Sequence, residues 1–307
     1  MKTMRVITIV CWVVTALALT GIAVWFVTGT VFGFSSGRWE GGNFGVNFGG
    51  FESLTGPYNV AGSHSIDTSG IDSISIDWVA GEITVTPHDG NEIKVTESAQ
   101  RELRESEKFH VNASGDTLTI NYTERSIRGR VPQKRLEVLV PRALSENMRM
   151  LSIDTVSSGV NVTDINASKL DCETVSGSID LSGVFANVSI DSVSGRVNLV
   201  NSAQNAVVDA ETISGRVDVS GYFDRVEANT VSGSVSISSA QIPSSLRVDS
   251  ISGGITIALP SDATISVNHS SVSGKLSSDI PHTTGSSGAT INISTVSGST
   301  RIQTLDN

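Results

Sequence analysis

The chain has little of what most often reveals a chemistry. Cysteine is nearly absent: Cys11 lies in an apolar N-terminal run and Cys172 stands alone in the rest of the 307 residues. A disulfide framework and a cysteine zinc site are therefore both excluded. Basic residues are also scarce, 21 Lys and Arg against 31 Asp and Glu, for a formal charge of −10. Phosphate binding needs basic patches, so this balance argues against a nucleic-acid partner. An acidic surface favours solubility and weakly repels anionic lipid or wall polymer unless divalent cations intervene. Aromatics make up only 5%. The five histidines (His64, His88, His110, His269, His282) show no metal-ligand spacing. What is plentiful is Gly, at 29 residues, with Ser, Thr, Val and Ile around it. That composition suits stacked short strands better than helices.

The N-terminus carries the one long apolar run. Lys2 and Arg5 precede a stretch, 6–37, that holds no charge, and its apolar heart, 6–27, is 22 residues long. A membrane-spanning helix needs roughly 20 residues, whereas a signal-peptide core has about 7–15. Ala16-Leu17-Ala18 imitates a cleavage motif, but apolar residues continue through Val27. Residues 1–31 are thus expected to be a cytoplasmic tip and an uncleaved, single-pass transmembrane helix. Positive charge before the span and none close after it orients the N-terminus to the cytoplasm and the remainder to the outside of the cell membrane. Residues 32–59 are rich in Gly and aromatics. They suit a flexible linker, and Phe34, Trp39, Phe44, Phe48 and Phe51 also suit a segment resting at the bilayer interface.

The rest of the chain repeats. V/I-S-G recurs at Val175, Val193, Ile213, Val231, Ile251, Val272 and Val296, with the variant Val156-Ser157-Ser158-Gly159 at the start. Counted from that first β-branched residue, the intervals are 19, 18, 20, 18, 20, 21 and 24. Apolar residues stand three and five positions before it, as in Leu170 and Cys172, and four and six after it, as in Ile179 and Leu181. Spacing of two within each half marks a strand with one buried face. The step of three between Cys172 and Val175 shifts that phase and predicts a corner before the valine. One unit cannot bury its own inner face, but a stack can. The expected fold is therefore an all-β, parallel β-helix-like solenoid. Eight coils at about 4.8 Å each would make a rod on the order of 38 Å long.

Residues 74–85 fit the same frame. Between them and 151, shorter alternating runs and a charged segment, 97–108, predict capping strands with a short helix or long loop. Residues 60–150 are accordingly assigned to an N-terminal cap with the first irregular coils, and 151–307 to the repeat solenoid. At the other end, Ser278 and Thr300 replace apolar core residues, so the stack is expected to fade there and close with Arg301 and the polar tail.

From Leu136-Glu137-Val138-Leu139-Val140-Pro141 through the V-S-G-S/R-V/I units, over roughly 66–302, the chain resembles a bacterial family of cell-surface domains known as "putative adhesin", for which no function is established. The resemblance implies a β-solenoid on the bacterial envelope, in some cases beside envelope-stress signalling genes. It brings no catalytic residues and no cofactor.

Several columns bear polar groups. Two positions before the repeat valine stand Asp77, Asp154, Glu173, Asp191, Glu211, Asn229, Asp249, Ser270 and Ser294. Stacked in register they form an acidic ladder, whose oxygens suit calcium and equally suit hydrogen bonds at a corner. Hydroxyl ladders flank the valine, Thr174 and its equivalents before it and Ser176 and its equivalents after it. A row of hydroxyls can bind sugars, or simply bond along the stack. Arg196 and Arg216, in adjacent coils, suit either an anionic sugar or neighbouring acids. His269 and Cys172 fall in a core column and are expected to be buried, the histidine satisfied by a hydroxyl.

The function expected from the sequence is that of a non-catalytic adhesin, surface-binding or structural element of the cell envelope, with cell-wall glycan, host glycan or another envelope protein as partner. An accessory role in envelope-stress sensing is the alternative. A polysaccharide-cleaving β-helix enzyme would need carboxylates or basic groups clustered about a groove, whereas here the non-repeating polar residues are scattered.

Overall fold

The computed structural model describes residues 47–124, 128–283 and 289–305. The expected anchor, 1–31, and most of the linker lie outside the described residues. Among the described residues no helix is long and apolar enough to cross a membrane.

The structure is built almost wholly of strands. At its centre stand β9 (Met148–Ser176), β10 (Ile179–Ser194), β11 (Val197–Ser214) and β12 (Val217–Ser232), each laid parallel on the next. Register follows the repeat. Ile190 pairs with Cys172 and Ala210, and Ala228 pairs with Ala210 and Val248. Side chains at 170, 172, 179 and 181 face inward and are buried, as alternation requires. The core is continuous from coil to coil. It mixes sizes at the far corner, where Phe185 lies over Ala167 and Phe223 over Ala206, all buried, so a ring in one coil meets a methyl in the next.

The corner itself falls later than the apolar spacing predicts. β9 runs straight through Thr174 and Val175 and ends at Ser176, and the chain turns at Gly177 before β10 begins. Thr174 is 4% exposed and faces inward with Leu170 and Cys172. Alternation is thus unbroken, but its third member is a hydroxyl, which an apolar count passes over. The turn needs glycine because a Cβ at Gly177 would stand 2.0 Å from the Ser158 carbonyl oxygen, at a φ of +142°.

The C-terminal coils are stacked out of chain order. β13 (Val235–Ser239), β14 (Ser245–Ser252) and β15 (Ile255–Leu259) continue the column. The next neighbours of β14 and β15 are β19 (Ala289–Ser297) and β20 (Thr300–Thr304). Outside these lie β16 (Ile265–Ser273) and β17 (Leu276–Ser278), with β18 (His282–Thr283) touching only Ile265 and Ser266. The end coil is therefore the one with His269 and Ser278, not the one ending in Arg301. This explains why Val272 is 79% exposed while Thr300, a substitute in a core column, is 1% exposed. The 24-residue interval before Val296 gives the chain enough length to double back into the place left open.

At the N-terminal end β3 (Ser73–His88) lies directly on β9, with Ile76 opposite Ile153 and Ile83 opposite Val160. Its two halves are covered separately. β6 (Thr117–Asn121) pairs with the first half and β5 (His110–Ser114) closes it as a hairpin. β8 (Lys134–Pro141) pairs with the second half, followed by β4 (Glu92–Ala99) and β2 (Asn59–Asp67), both antiparallel. A two-stranded parallel pair, β1 (Asn47–Phe51) with β7 (Arg128–Val131), stands apart from this sheet. The charged segment 97–108 divides between the end of a strand, a connecting stretch and a short helix. Glu97 belongs to β4, and only Glu105–Glu107 makes a helical turn.

Candidate functional site

Because 170, 172 and 174 point inward, 171, 173 and 175 point out. Repetition turns each outward position into a column. Register places Asp77 beside Asp154, and Asp191 between Glu173 and Glu211, followed by Asn229 and Asp249. The acidic ladder read from sequence is thus one physical row. A second row runs beside it, Asp171, Ser189, Asp209, Glu227 and Arg247, which sequence reasoning overlooked because no single residue type dominates it. Two positions on, the repeat valines and isoleucines face outward too. Val175, Val193, Ile213, Val231 and Ile251 are half-buried there, so the residues that announce the repeat are not core.

Electrostatics set this face apart. Partial burial, followed by the charges of Asp77, Glu173 and Asp171, pushes Asp154 up to about 7. Asp191 is likewise raised to about 7, by burial and then by Glu211, Glu173, Asp209 and Asp171. Burial alone raises Asp77 to about 6. Relief is partial: Lys169 reaches Asp171 at 3.0 Å, Arg247 reaches Asp249 at 2.8 Å, and the Asn229 amide donates to Glu211 at 3.2 Å. The carboxylates form rows and do not converge. Among the described residues no three His, Cys, Asp or Glu come together as a metal would require.

These raised values fix a pH dependence. In the unfolded chain an Asp titrates near 3.8, so between about 4 and 7 the folded ladder binds protons that the unfolded chain releases. The ladder's contribution is full below pH 4 and is lost as pH rises through 6–7. Asp191→Asn removes one such group. We expect it to raise stability by about 1 kcal/mol at pH 8 and to leave stability at pH 4 nearly unchanged, as read from urea melts at both values. An equal effect at the two pH values would contradict the raised titration of Asp191 in the folded protein.

The two hydroxyl ladders have different fates. Ser176, Ser194, Ser214, Ser232 and Ser252 are exposed along the corner. The ladder before the valine is inside the protein and is not available to a sugar. Cys172 is fully buried, with its thiol held far above its ordinary value by burial. His269 lies in the end coil, half-buried, and its Nε2 has no hydrogen-bond partner among the described residues, so the hydroxyl expected to satisfy it is not there. Arg216 forms an ion pair with Asp218 at 2.6 Å, and Arg196 is exposed one coil away. His64 packs edge-on against Phe109 and His88 bonds the Glu92 carbonyl.

One cluster escaped the sequence entirely. Lys134 and Glu97, both 0% exposed, form an ion pair at 2.5 Å inside the N-terminal cap. The signal was alternation. Lys134 precedes Leu136 and Val138 in β8, and Glu97 follows Ile93 and Val95 in β4, so each continues a buried row. The pair is enclosed by Trp78, Tyr122 and Phe109 and has no opening, so its role is in the fold.

Comparison with known proteins bears on the fold. No curated protein matches the chain. A crystal structure of a "putative adhesin" from Bacteroides fragilis matches with a TM-score of 0.51 at 13% identity, covering 79% of this chain and 96% of that one. A "putative adhesin" from Parabacteroides distasonis matches with a TM-score of 0.43 at 11% identity, covering 81% and 98%. A "putative lipid binding protein" from the same species matches with a TM-score of 0.32 at 12% identity, covering 80% and 96%. At these identities the first likeness speaks for the fold alone. The sequence pattern of the Toastrack DUF4097 family matches residues 71–303, which span the strands from β3 to β20. The chain belongs to that family.

Proposed function

We propose that this protein is a membrane-anchored, non-catalytic element of the bacterial cell envelope that binds a surface through the outward face of its solenoid. The observation that carries this is the arrangement of that face. An acidic row, a mixed row of acids with Ser189 and Arg247, and a half-exposed apolar row run side by side across at least five coils, repeating at the spacing of the strands. Such a face offers the same contacts many times over and suits an extended or repetitive partner through multivalency. Catalysis needs different groups converging on one point, and these rows run in parallel without converging. The apolar run at 6–27, its flanking charges and the Gly-rich segment after it support an anchor with the domain outside.

The test is binding of the full chain, in detergent micelles, to isolated cell wall and to glycan arrays, with and without calcium. Saturable binding to one of these is expected, weakened at least tenfold by Asp191→Asn combined with Glu211→Gln. Absence of saturable binding to every surface would instead favour an accessory in envelope-stress signalling, acting through the span or its neighbours.

A further inference from the structure

Buried hydroxyls in proteins almost always find a partner, so a row of them without one is an anomaly with a location. Thr174, Ser192, Thr212, Thr230, Ser250 and Thr295 are each between 4% and 6% exposed. Their side-chain oxygens have no hydrogen-bond partner among the described residues, and neither does that of Ser271 in the end coil. Register stacks all seven in one internal column: Thr174, Ser192, Thr212, Thr230, Ser250, Thr295, Ser271. They do not bond to one another, and the strand spacing of about 4.8 Å exceeds the roughly 2.8 Å of a hydroxyl bond.

The first coil shows what chemistry the place accepts. There the repeat has one residue more, Val156-Ser157-Ser158-Gly159 instead of V-S-G. Ser158 is 2% exposed, and its hydroxyl lies 2.7 Å from that of Thr155, the member of the column in that coil. In the shorter V-S-G units the chain supplies no residue to take this role. One coil earlier the column ends. Trp78 occupies the position opposite Thr155, 2% exposed, with its indole N–H donating to the Lys134 carbonyl at 3.4 Å.

We propose that the column from Thr174 to Ser271 binds a file of water molecules, about one per coil, standing in for the Ser158 hydroxyl. The spacing favours it. A water midway between hydroxyls about 4.8 Å apart reaches both at about 2.8 Å, with an angle of roughly 120° between the two bonds. Each hydroxyl both donates and accepts, so alternating hydroxyls and waters form a continuous hydrogen-bonded chain parallel to the stacking axis. Trp78 closes the file at the N-terminal cap. The half-buried Ser271 coil is where it meets solvent.

Two measurements on the full chain test this together. Thr212→Val and Thr230→Val keep shape and remove the hydroxyl. If water is bound, each variant strands its water and Tm falls by about 2–4 °C. If the column is dry, each variant removes an unsatisfied polar group and Tm stays level or rises. A crystal structure at better than about 1.5 Å, a resolution at which ordered buried water is routinely seen, supplies the second measurement. Density for a file of waters between the hydroxyls, with falls in Tm for both variants, is the expected result. A level or raised Tm in either variant, or a well-ordered column without solvent density, overturns the proposal. Thr155→Val serves as the reference, since its partner is the Ser158 side chain and its Tm falls in either case.

Discussion

Replacing Lys134 by Met is expected to destabilise the fold by about 3–5 kcal/mol, the usual result of breaking a buried ion pair from one side. The ammonium group has three N–H bonds and spends all three inside the cap, on Glu97 Oε1 at 2.5 Å, the Glu107 carbonyl at 2.8 Å and the Tyr122 carbonyl at 2.5 Å. The faces of Tyr122, at 3.6 Å, and Trp78, at 4.8 Å, complete its surroundings. Met fills the volume but satisfies none of these acceptors. The Glu97 carboxylate keeps only the Phe109 N–H, at 3.2 Å. Burial already pushes Glu97 up and Lys134 down, and each opposes the other's shift by its charge. With the lysine gone, that restraint on Glu97 is lost and burial pushes its carboxyl further up.

Urea unfolding of the wild type, Lys134→Met and Lys134→Met/Glu97→Leu separates the two parts of the effect. The double variant is expected to recover more than half of the loss, because two apolar groups of similar volume leave no stranded charge. A single-variant loss under about 1 kcal/mol, the size of an exposed pair's contribution, would mean that water reaches the site. The ion pair shares its enclosure with the hydrogen bond from Tyr122 to the Pro132 carbonyl, so damage here should appear first as loss of cap structure.

Gly215→Ala is expected to cost at least about 4 kcal/mol, at the far end of what single substitutions do. A Cβ there would lie 1.8 Å from the carbonyl oxygen of Gly195 in the coil beside it, at a φ of +151°. The obstacle is backbone, which cannot rotate aside as a side chain can. Relief requires the coils to part, and the corner bonds from the Gly195 N–H to Ser214 and from the Gly215 N–H to Ser232, both 3.2 Å, would lengthen with them. Because Gly177, Gly195, Gly215, Gly233 and Gly253 each press on the neighbouring coil in this manner, displacement at one corner spreads to the next. Gly254 is the control. It follows Gly253 directly, yet a Cβ there meets nothing within 4 Å. Gly254→Ala is expected to change stability by no more than about 0.5 kcal/mol, as surface substitutions do. Equal effects from Gly215→Ala and Gly254→Ala would refute the close approach of the corners.

Much of this was legible in the residues themselves. Alternation in Val188-Ser189-Ile190 and Val197-Asn198-Leu199 names the buried face of each strand. Its recurrence every 18 to 24 residues names the stack. The row of Asp191 and Glu211 follows at once, since identical positions are neighbours wherever coils stack in chain order. What escaped were polar residues on the inward side. Thr174 hid the true corner, and Lys134 and Glu97 hid an ion pair, because burial was sought through hydropathy while parity alone decides which way a strand residue points.

The repeat valines are the converse case. Val175 is apolar and yet faces outward, half-covered by its neighbours in the row. The alternating pattern and its period depend only on residues close in the chain, and by themselves they determined that this protein is a stack of parallel coils. The order of the last two coils was decided by the tertiary structure alone. β19 finds its partners in β14 and β16 at once, and that choice depends on which edges remain open after Leu259. Open edges belong to the assembled stack, not to any local run of residues, and the same is true of the enclosure that brings Lys134 onto Glu97.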